Sequence, residues 1–383
     1  MAGGSGEPDT AVGDAGAMQG IEIGMAVADG ALADDVRRAA AAAARSVTDI
    51  DRGRPRACWA SAAGLVLDLG AATAMAEAAR AGGLPRRDGV AIVAAEAGMA
   101  ELAAAVEVGA AQVFVLPAQV RELARFFAAR EQDDGARSRV VAVLGGHGGA
   151  GASVLAAAVA VTAPGRGITA LAVDADPWGG GLDLLLGCAD MPGLRWGDLA
   201  LRGGHVPSDA LVAALPGRAG AVAVLSAGGA VAGTSDAAGG APSPEIPVEG
   251  LLAVIDAGRR SVGVTVVDLP RRDDPATSAC LEVADVVLVV VGATVRGCAA
   301  ARSVIDGVAR RARRVGLVVR GPAPGGLSAR DVERAVGAPL LVSMRPQPGL
   351  ASQLDDGGLR LRRGTPLAVA AGRVLDGVRR GAA

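Results

Sequence analysis

A glycine-rich segment between a β-branched strand pattern and an alanine-rich helix pattern constrains the fold of this chain most. Residues 140–160 read VVAVLGGHGGAGASVLAAAVA. Gly146 and Gly151 have the GxxxxG spacing of a phosphate-binding loop, and Ser153 stands where such a loop has its Ser or Thr. A loop of this kind aims backbone N–H groups at phosphate oxygens, and the positive end of the following helix adds to the attraction. The segment predicts a strand, a phosphate-binding loop and a helix in succession.

Two acidic motifs follow the loop at the ends of apolar segments. Asp174 and Asp176 come at the end of LAVDAD, and Asp268 ends VGVTVVD. The carboxyl ends of parallel strands form the ligand crevice of an open α/β sheet. Carboxylates there, with the hydroxyl of Ser153, can hold Mg²⁺ directly or through water, or position an attacking water. A glycine-rich turn alone also fits a tight connection or a dinucleotide-binding loop, and one Asp fits a helix cap; the set in this order favours a nucleotide site.

Strand-like and helix-like segments alternate along the chain, which predicts an α/β fold with mostly parallel sheets. We expect a disordered tail (1–18), a smaller α/β domain (19–130), a charged linker (131–139) and a doubly wound sheet domain (140–383). The sequence predicts a helix at 31–45, a surface loop at 227–247 and a last helix at 367–380 packed on the sheet, with a membrane-surface helix as the alternative for the last. The predicted strands are 21–28, 64–69, 90–94, 112–116, 140–144, 169–173, 222–225, 264–267, 286–291, 315–319 and 340–342.

Composition excludes several function classes. A formal net charge of -2 gives no electrostatic footprint for non-specific nucleic-acid binding. The four cysteines, Cys58, Cys188, Cys280 and Cys298, are far apart and are expected to be buried free thiols in a reducing cytosol. No signal-peptide pattern is apparent, so a cytoplasmic location is expected. The chain has no lysine, which excludes any mechanism that needs one, from this chain or from a second copy.

The residues of the loop and of the acidic motifs resemble the MinD/ParA superfamily of P-loop ATPases. Residues 146–153 are similar to its deviant Walker A loop, KGGxGK followed by Ser or Thr. The DxD of the switch region is matched by Asp174 and Asp176, and the Walker B aspartate by Asp268. The stretches VVDLPRR, GASVLA and PGLRWGDL resemble the CpaE branch, and within it the actinobacterial septum-site-determining group. The resemblance spans residues 140–370 and implies a site for ATP or ADP with Mg²⁺.

The resemblance implies particular residues for this site. Nucleotide is expected at Gly146, His147, Gly148, Gly149, Ala150, Gly151, Ala152, Ser153 and Arg320. Magnesium is expected at Ser153, Asp174, Asp176 and Asp268. Asp176 and Asp268 are the only candidates for a catalytic role.

Three positions depart from the pattern of the superfamily. His147 stands at the signature-lysine position and Ala152 at the P-loop lysine position, while Arg320 stands where relatives have an Asn that reads the base. Loss of preorganised positive charge at a phosphoryl-transfer site costs on the order of 10²–10³ in rate or more. We therefore expect very slow or no hydrolysis, with weak nucleotide binding retained. Whether His147 and Arg320 are adaptations or drift stays open.

The N-terminal block resembles a response-regulator receiver, with Asp68 in LVLDLG at the phospho-acceptor position. A working receiver also needs an acidic pair, a Thr or Ser, and a Lys. Here Asp29 is the only acidic residue close to the end of the first strand, and Ala94–Ala95 and Leu116–Pro117 occupy the other positions. We expect a pseudoreceiver that serves in docking or localisation, with phosphorylation of Asp68 as the alternative.

Three functions are compatible with these features. The first is a regulatory or spatial-organising protein of septum-site determination or of Tad pilus or secretion assembly. It would act through protein partners of that machinery, with a homodimer as one assembly. Its contact with membrane or septum would be peripheral. The second is an active MinD/ParA-type ATPase that positions cargo on membrane or nucleoid. The third is a metabolic P-loop-like or dinucleotide-binding enzyme, against which stands the lack of a further acid, base or nucleophile constellation.

Overall fold

Two α/β units follow each other along the chain. The computed structural model describes residues 23–50, 59, 62, 64–80, 89–96, 98–128, 138–199, 208–218, 221–226, 245–323 and 325–379 of the 383 residues. The predicted tail 1–18, Cys58, most of the linker and most of the loop at 227–247 lie outside these residues.

The first unit is a five-stranded parallel sheet with strand order β2-β1-β3-β4-β5. Its strands are β1 (Ile23–Ala26), β2 (Val47–Asp49), β3 (Gly64–Leu67), β4 (Val90–Ala94) and β5 (Gln112–Val115). The described helices of this unit are α1 (Gly30–Ala42), α2 (Leu69–Arg80), α3 (Met99–Val108) and α4 (Val120–Ala128). Strands β1, β3 and β4 are buried along their whole length, as expected of parallel strands covered on both faces. The order 2-1-3-4-5 is a doubly wound arrangement with a switch point between β1 and β3.

The second unit is an eight-stranded sheet with strand order β13-β12-β11-β6-β10-β7-β9-β8. Seven strands are parallel, and the short β8 pairs antiparallel to β9 at one edge. The strands are β6 (Arg139–Gly145), β7 (Ala170–Asp174), β8 (Gly217–Arg218), β9 (Val222–Leu225), β10 (Val264–Asp268), β11 (Val286–Gly292), β12 (Val315–Arg320) and β13 (Leu340–Met344).

Helices cover both faces of this sheet, which is why its central strands are continuous β-branched runs. One face packs against α7 (Ser208–Ala214), α8 (Val248–Ser261), α9 (Pro275–Val283), α10 (Val295–Ala309) and α11 (Ala329–Val336). The other packs against α5 (Ala152–Thr162), α6 (Leu182–Leu186), α12 (Leu350–Asp355) and α13 (Pro366–Arg379). Short 3₁₀ turns occur at Pro164–Arg166 and Trp196–Asp198. The α/β class, with a smaller unit before a doubly wound sheet, is confirmed.

The structure corrects several predicted boundaries. Leu69 begins α2 rather than ending β3, and Arg139 belongs to β6 rather than to the linker. The predicted helix at 31–45 ends at Ala42. Two strands were missed, β2 and β8, because neither has an apolar run: β2 is only partly buried, and β8 has two residues.

The last helix packs on the sheet, as predicted. In α13, Leu367, Val374 and Leu375 are buried against α5 and β13. Cys188, Cys280 and Cys298 are buried free thiols, also as predicted. Among the described residues, no helix is both long enough and apolar enough to cross a membrane.

Candidate nucleotide site

The loop between β6 and α5 has the backbone of an anion-binding loop. Gly149 and Gly151 have φ of +68° and +97°, a region that favours glycine. The N–H groups of Gly148, Gly149 and Gly151, and those of the first three residues of α5, have no acceptor in the described part of the chain. A Cβ added to Gly148 or Gly149 would meet nothing within 4 Å. The front of the loop therefore offers unpaired donors at a helix N-terminus.

The back of the loop is packed against the neighbouring strand. Gly146 N–H donates to the carbonyl of Val290 in β11 at 2.8 Å. A Cβ on Gly146 would lie 2.7 Å from Ala301 Cβ and 2.8 Å from Val291 Cγ2. Only glycine fits there, which explains the first glycine of the motif.

His147 is held inside the chain by both ring nitrogens. Gly292 N–H at the end of β11 donates to Nε2 at 2.9 Å, and Nδ1 lies 2.8 Å from the carbonyl oxygen of Gly148. These partners require the neutral tautomer that carries its proton on Nδ1. Gly292 and Gly297 leave room for the ring, because a Cβ on either would lie 3.1 Å from it. His147 thus ties the loop to β11 and has no ring nitrogen left for a ligand.

Arg320 also reaches the loop. It ends β12, two strands away from β6, and its Nη2 donates to the carbonyl oxygen of Gly149 at 3.1 Å. Its Nη1 lies 3.6 Å from where a Cβ on Gly151 would stand. The sequence predicted Arg320 near the nucleotide, and the structure brings it to the outside of the loop.

Asp268 and Ser153 meet beside the loop. Strand β10 lies between β6 and β7, so Asp268 is level with Val143 on one side and Asp174 on the other. The Ser153 hydroxyl lies in the same cleft as the Asp268 carboxylate, near enough to act on its pKa. Burial raises the pKa of Asp268 to about 8, helped by the charges of Asp174 and Asp176 and opposed by the Ser153 hydroxyl. A buried carboxylate of this kind favours a cation beside it.

Asp174 is engaged in a buried network. Its carboxylate accepts from Leu182 N–H at 2.8 Å, Asp176 N–H at 3.1 Å and Ser226 Oγ–H at 3.3 Å. Ser226 Oγ also lies 3.0 Å from Asp183, which pairs with Arg195 at 3.3 Å. Burial raises the pKa of Asp174 despite these donors. Asp174 therefore organises the segment after β7, a role that the sequence did not reveal.

The arrangement fits Mg²⁺ with few protein ligands. Within the described ranges, no three side chains of His, Cys, Asp or Glu are grouped so that they could hold one metal ion. Magnesium usually keeps several waters and takes one or two carboxylates together with substrate phosphates. Ser153 and Asp268 are placed to bind it, Asp176 lines the same cleft, and Asp174 does not line it.

The cleft has about 800 Å³ and contains residues that sequence reasoning missed. Besides the loop and Asp176, it is lined by Trp178, Arg271 and Arg272. The Arg272 guanidinium carbon lies 5.9 Å from the centroid of the Trp178 ring, within cation–π range. The signal was in the sequence, as two arginines three and four residues after Asp268.

Asp68 in the N-terminal unit has a structural role. One carboxylate oxygen accepts from Ala28 N–H at 2.6 Å and the other from Ala71 N–H at 2.7 Å. Asp29 likewise caps α1, accepting from Ala31 N–H at 2.8 Å. The chain has no Lys to complete a working receiver.

Comparisons with known proteins agree with both units. Residues 26–139 match the family described as the Rv3660c-like, CheY-like N-terminal domain. Two Mycobacterium tuberculosis proteins, the uncharacterized Rv3660c of strain H37Rv and the uncharacterized MT3760 of strain CDC 1551, are each 48% identical over 354 residues, which cover 91% of this chain and 95% of each relative. The crystal structure of a ParA family ATPase from Chlorobium tepidum TLS superposes with a TM-score of 0.53 and 16% identity, covering 63% of this chain and 99% of that protein. At that identity the likeness shows the fold alone. The chain thus belongs to the Rv3660c family, with a CheY-like domain before a P-loop domain of the MinD/ParA fold.

Proposed function

We propose that this protein binds ATP or ADP with Mg²⁺ at residues 146–153 and hydrolyses it very slowly or not at all. One observation carries this: the unpaired N–H groups at the front of the loop face a cleft that also holds Ser153 and Asp268. Backbone donors at a helix N-terminus bind phosphate without a lysine.

The residues of the site can bind nucleotide, but the positive charge that hydrolysis needs is missing from the loop. The loop N–H groups would hold the phosphates, and Ser153 and Asp268 would hold Mg²⁺, which supplies charge neutralisation at the phosphates. Ala152 contributes no charge, and His147 is bonded to β11 and to its own loop. Because the chain has no lysine, a second copy cannot donate one either.

The function that follows is regulatory or spatial rather than metabolic. The CheY-like unit, with Asp68 bonded to two backbone N–H groups, is suited to docking protein partners rather than to phosphotransfer. The CpaE-like stretches VVDLPRR and PGLRWGDL support a place in septum-site determination or in Tad pilus or secretion assembly, in the cytoplasm or recruited to the membrane or septum. Nucleotide would act as a structural switch, and a homodimer is the simplest assembly that it would control.

One observation favours a second candidate, an active MinD/ParA-type ATPase. Asp176 and Asp268 both line the cleft beside the loop, where a carboxylate can position an attacking water. A turnover assay with saturating Mg-ATP separates the two, since rates near those of ordinary ATPases, about 1 s⁻¹ or more, would require another source of positive charge.

A titration with labelled ATP and ADP, with and without Mg²⁺, tests the proposal. A double variant, Ser153→Ala with Asp176→Ala, should lose the Mg²⁺-dependent binding. Ser303→Ala with Asp306→Ala is the matched control, because both residues are exposed on α10 and do not line the cleft. No binding to the wild-type protein at millimolar nucleotide would contradict the proposal.

A further inference from the structure

We propose that Arg271 and Arg272 together supply the positive charge for the phosphate chain that the loop of this protein lacks. The inference rests on the proposed nucleotide site and assigns its charge recognition to two residues outside the loop.

The other basic side chains near the loop are engaged within the chain. His147 uses both ring nitrogens there, and Arg320 donates to the carbonyl of Gly149 and does not line the cleft. Ala152 has no charge, and the chain has no lysine. A phosphate chain in this cleft would therefore find its side-chain cations at the arginine pair.

The arginine pair lines the same cleft as the loop. Arg271 and Arg272 follow Asp268 by three and four residues, and both are exposed. Among the residues that the structure describes, neither has a carboxylate within 4.0 Å. The neighbouring Asp273 is taken by Arg311 at 3.3 Å. The pair therefore keeps its charge available to an anion.

Trp178 gives Arg272 a fixed place at the cleft wall. Trp178 is 69% exposed, and the Arg272 guanidinium carbon lies 5.9 Å from its ring centroid. A guanidinium held over an aromatic face keeps its N–H donors for phosphate oxygens. Trp178 N–H donates to Asp176 at 3.1 Å, so the contact also joins the segment after β7 to the segment after β10. Phosphate bound by Arg272 would hold both segments in one arrangement.

The cleft has charged side chains of both signs, which suit different parts of a Mg-nucleotide. Asp176 and Asp268 are suited to Mg²⁺, and the arginine pair is suited to the negative phosphate charge that Mg²⁺ does not neutralise. Arginine forms charge-assisted, bidentate hydrogen bonds with phosphate. Removing the two arginines should therefore cause a large loss of nucleotide affinity, and the size of that loss should depend on salt.

Calorimetric titration of three variants with Mg-ATP and with sodium tripolyphosphate tests the inference. Arg271→Ala with Arg272→Ala should weaken Mg-ATP binding about 10- to 100-fold and flatten its dependence on salt. Arg271→Lys with Arg272→Lys should recover part of the affinity. Arg373→Ala with Arg379→Ala, an equal change of charge at two exposed positions of α13 that do not line the cleft, should leave affinity unchanged.

The outcomes separate this inference from the proposed function. If the double alanine variant binds Mg-ATP like wild type while Ser153→Ala with Asp176→Ala does not, the arginine pair is wrong and the nucleotide site stands. If wild type binds tripolyphosphate but no nucleotide, and the double alanine variant binds neither, the arginine pair stands and the proposed function fails. If the wild-type protein binds neither tripolyphosphate nor nucleotide, both the arginine-pair inference and the proposed function are wrong.

Discussion

The two α/β units of this protein place an aspartate at the same position and use it differently. In the CheY-like unit, Asp68 follows the buried strand β3, and each of its carboxylate oxygens accepts a short backbone hydrogen bond. In the P-loop unit, Asp268 ends the buried strand β10, and burial raises its pKa to about 8. The first carboxylate is satisfied by the fold, whereas the second is buried beside the like charges of Asp174 and Asp176.

This difference shows what distinguishes a site from a scaffold on one type of sheet. Parallel strands bring side chains to the same edge in both units. In the described residues of the second unit, N–H donors in front of the loop have no acceptor, and a buried carboxylate lies beside them. Groups that the chain leaves unpaired are the ones available to a ligand.

Gly146→Val should lower the free energy of unfolding by about 3 kcal/mol or more, because its side chain would collide with Ala301 and Val291. Gly148→Ala is the control, since a Cβ there meets nothing within 4 Å, and it should change stability by less than about 1 kcal/mol. Urea denaturation measures both. Equal effects would mean that the loop is not packed at its back and open at its front.

Asp268→Asn should abolish the decrease in stability that the wild-type protein shows as pH rises. Because the pKa of Asp268 in the folded protein is raised from 3.8 to about 8, the folded state retains a proton that the unfolded chain has released between about pH 4 and pH 8. The free energy of unfolding of metal-free wild type therefore falls as pH rises through that window. The free energy of unfolding of the variant minus that of wild type should therefore be higher at pH 9 than at pH 4, by on the order of a few kcal/mol. Thermal melts at both pH values check this, and parallel curves would contradict it.

Asp68→Ala should destabilise the protein by about 1–3 kcal/mol, since two backbone donors lose their acceptor. Glu77→Ala, at an exposed position of α2 without such contacts to the described residues, should cost less. Small-molecule phosphodonors should leave Asp68 unmodified, as measured by intact-protein mass spectrometry. Stoichiometric phosphorylation of wild type, lost in the variant, would make the first unit a working receiver and erase the contrast.

Removal of the His147 and Arg320 side chains, each of which hydrogen-bonds at the loop, should have the smallest effects. His147→Ala loses the acceptor for Gly292 N–H and should cost about 1–2 kcal/mol. Arg320→Ala loses one hydrogen bond at a partly exposed site and should cost about 1 kcal/mol or less. If Arg320→Ala instead abolishes nucleotide binding without a change in stability, Arg320 contacts the ligand rather than the loop.

The sequence predicted the interior of both sheets well and the long-range contacts poorly. Strands β4 and β9 have the predicted bounds, because a strand buried on both faces is a continuous apolar run. The partly exposed β2 has no such run and was missed. The glycine loop and its aspartates were readable because their spacing is local. The partners of His147 and of Trp178 lie 145 and 94 residues away, and no local pattern encodes such a contact.

The central claim is that the P-loop unit holds nucleotide without hydrolysing it. The direct measurement is to mix the protein with radiolabelled Mg-ATP, to isolate the complex by rapid gel filtration, and to identify the bound nucleotide over several hours. We expect bound ATP that requires Mg²⁺ and stays intact through that time. Bound nucleotide that turns to ADP within seconds, or no nucleotide retained or detected at equilibrium, would contradict it.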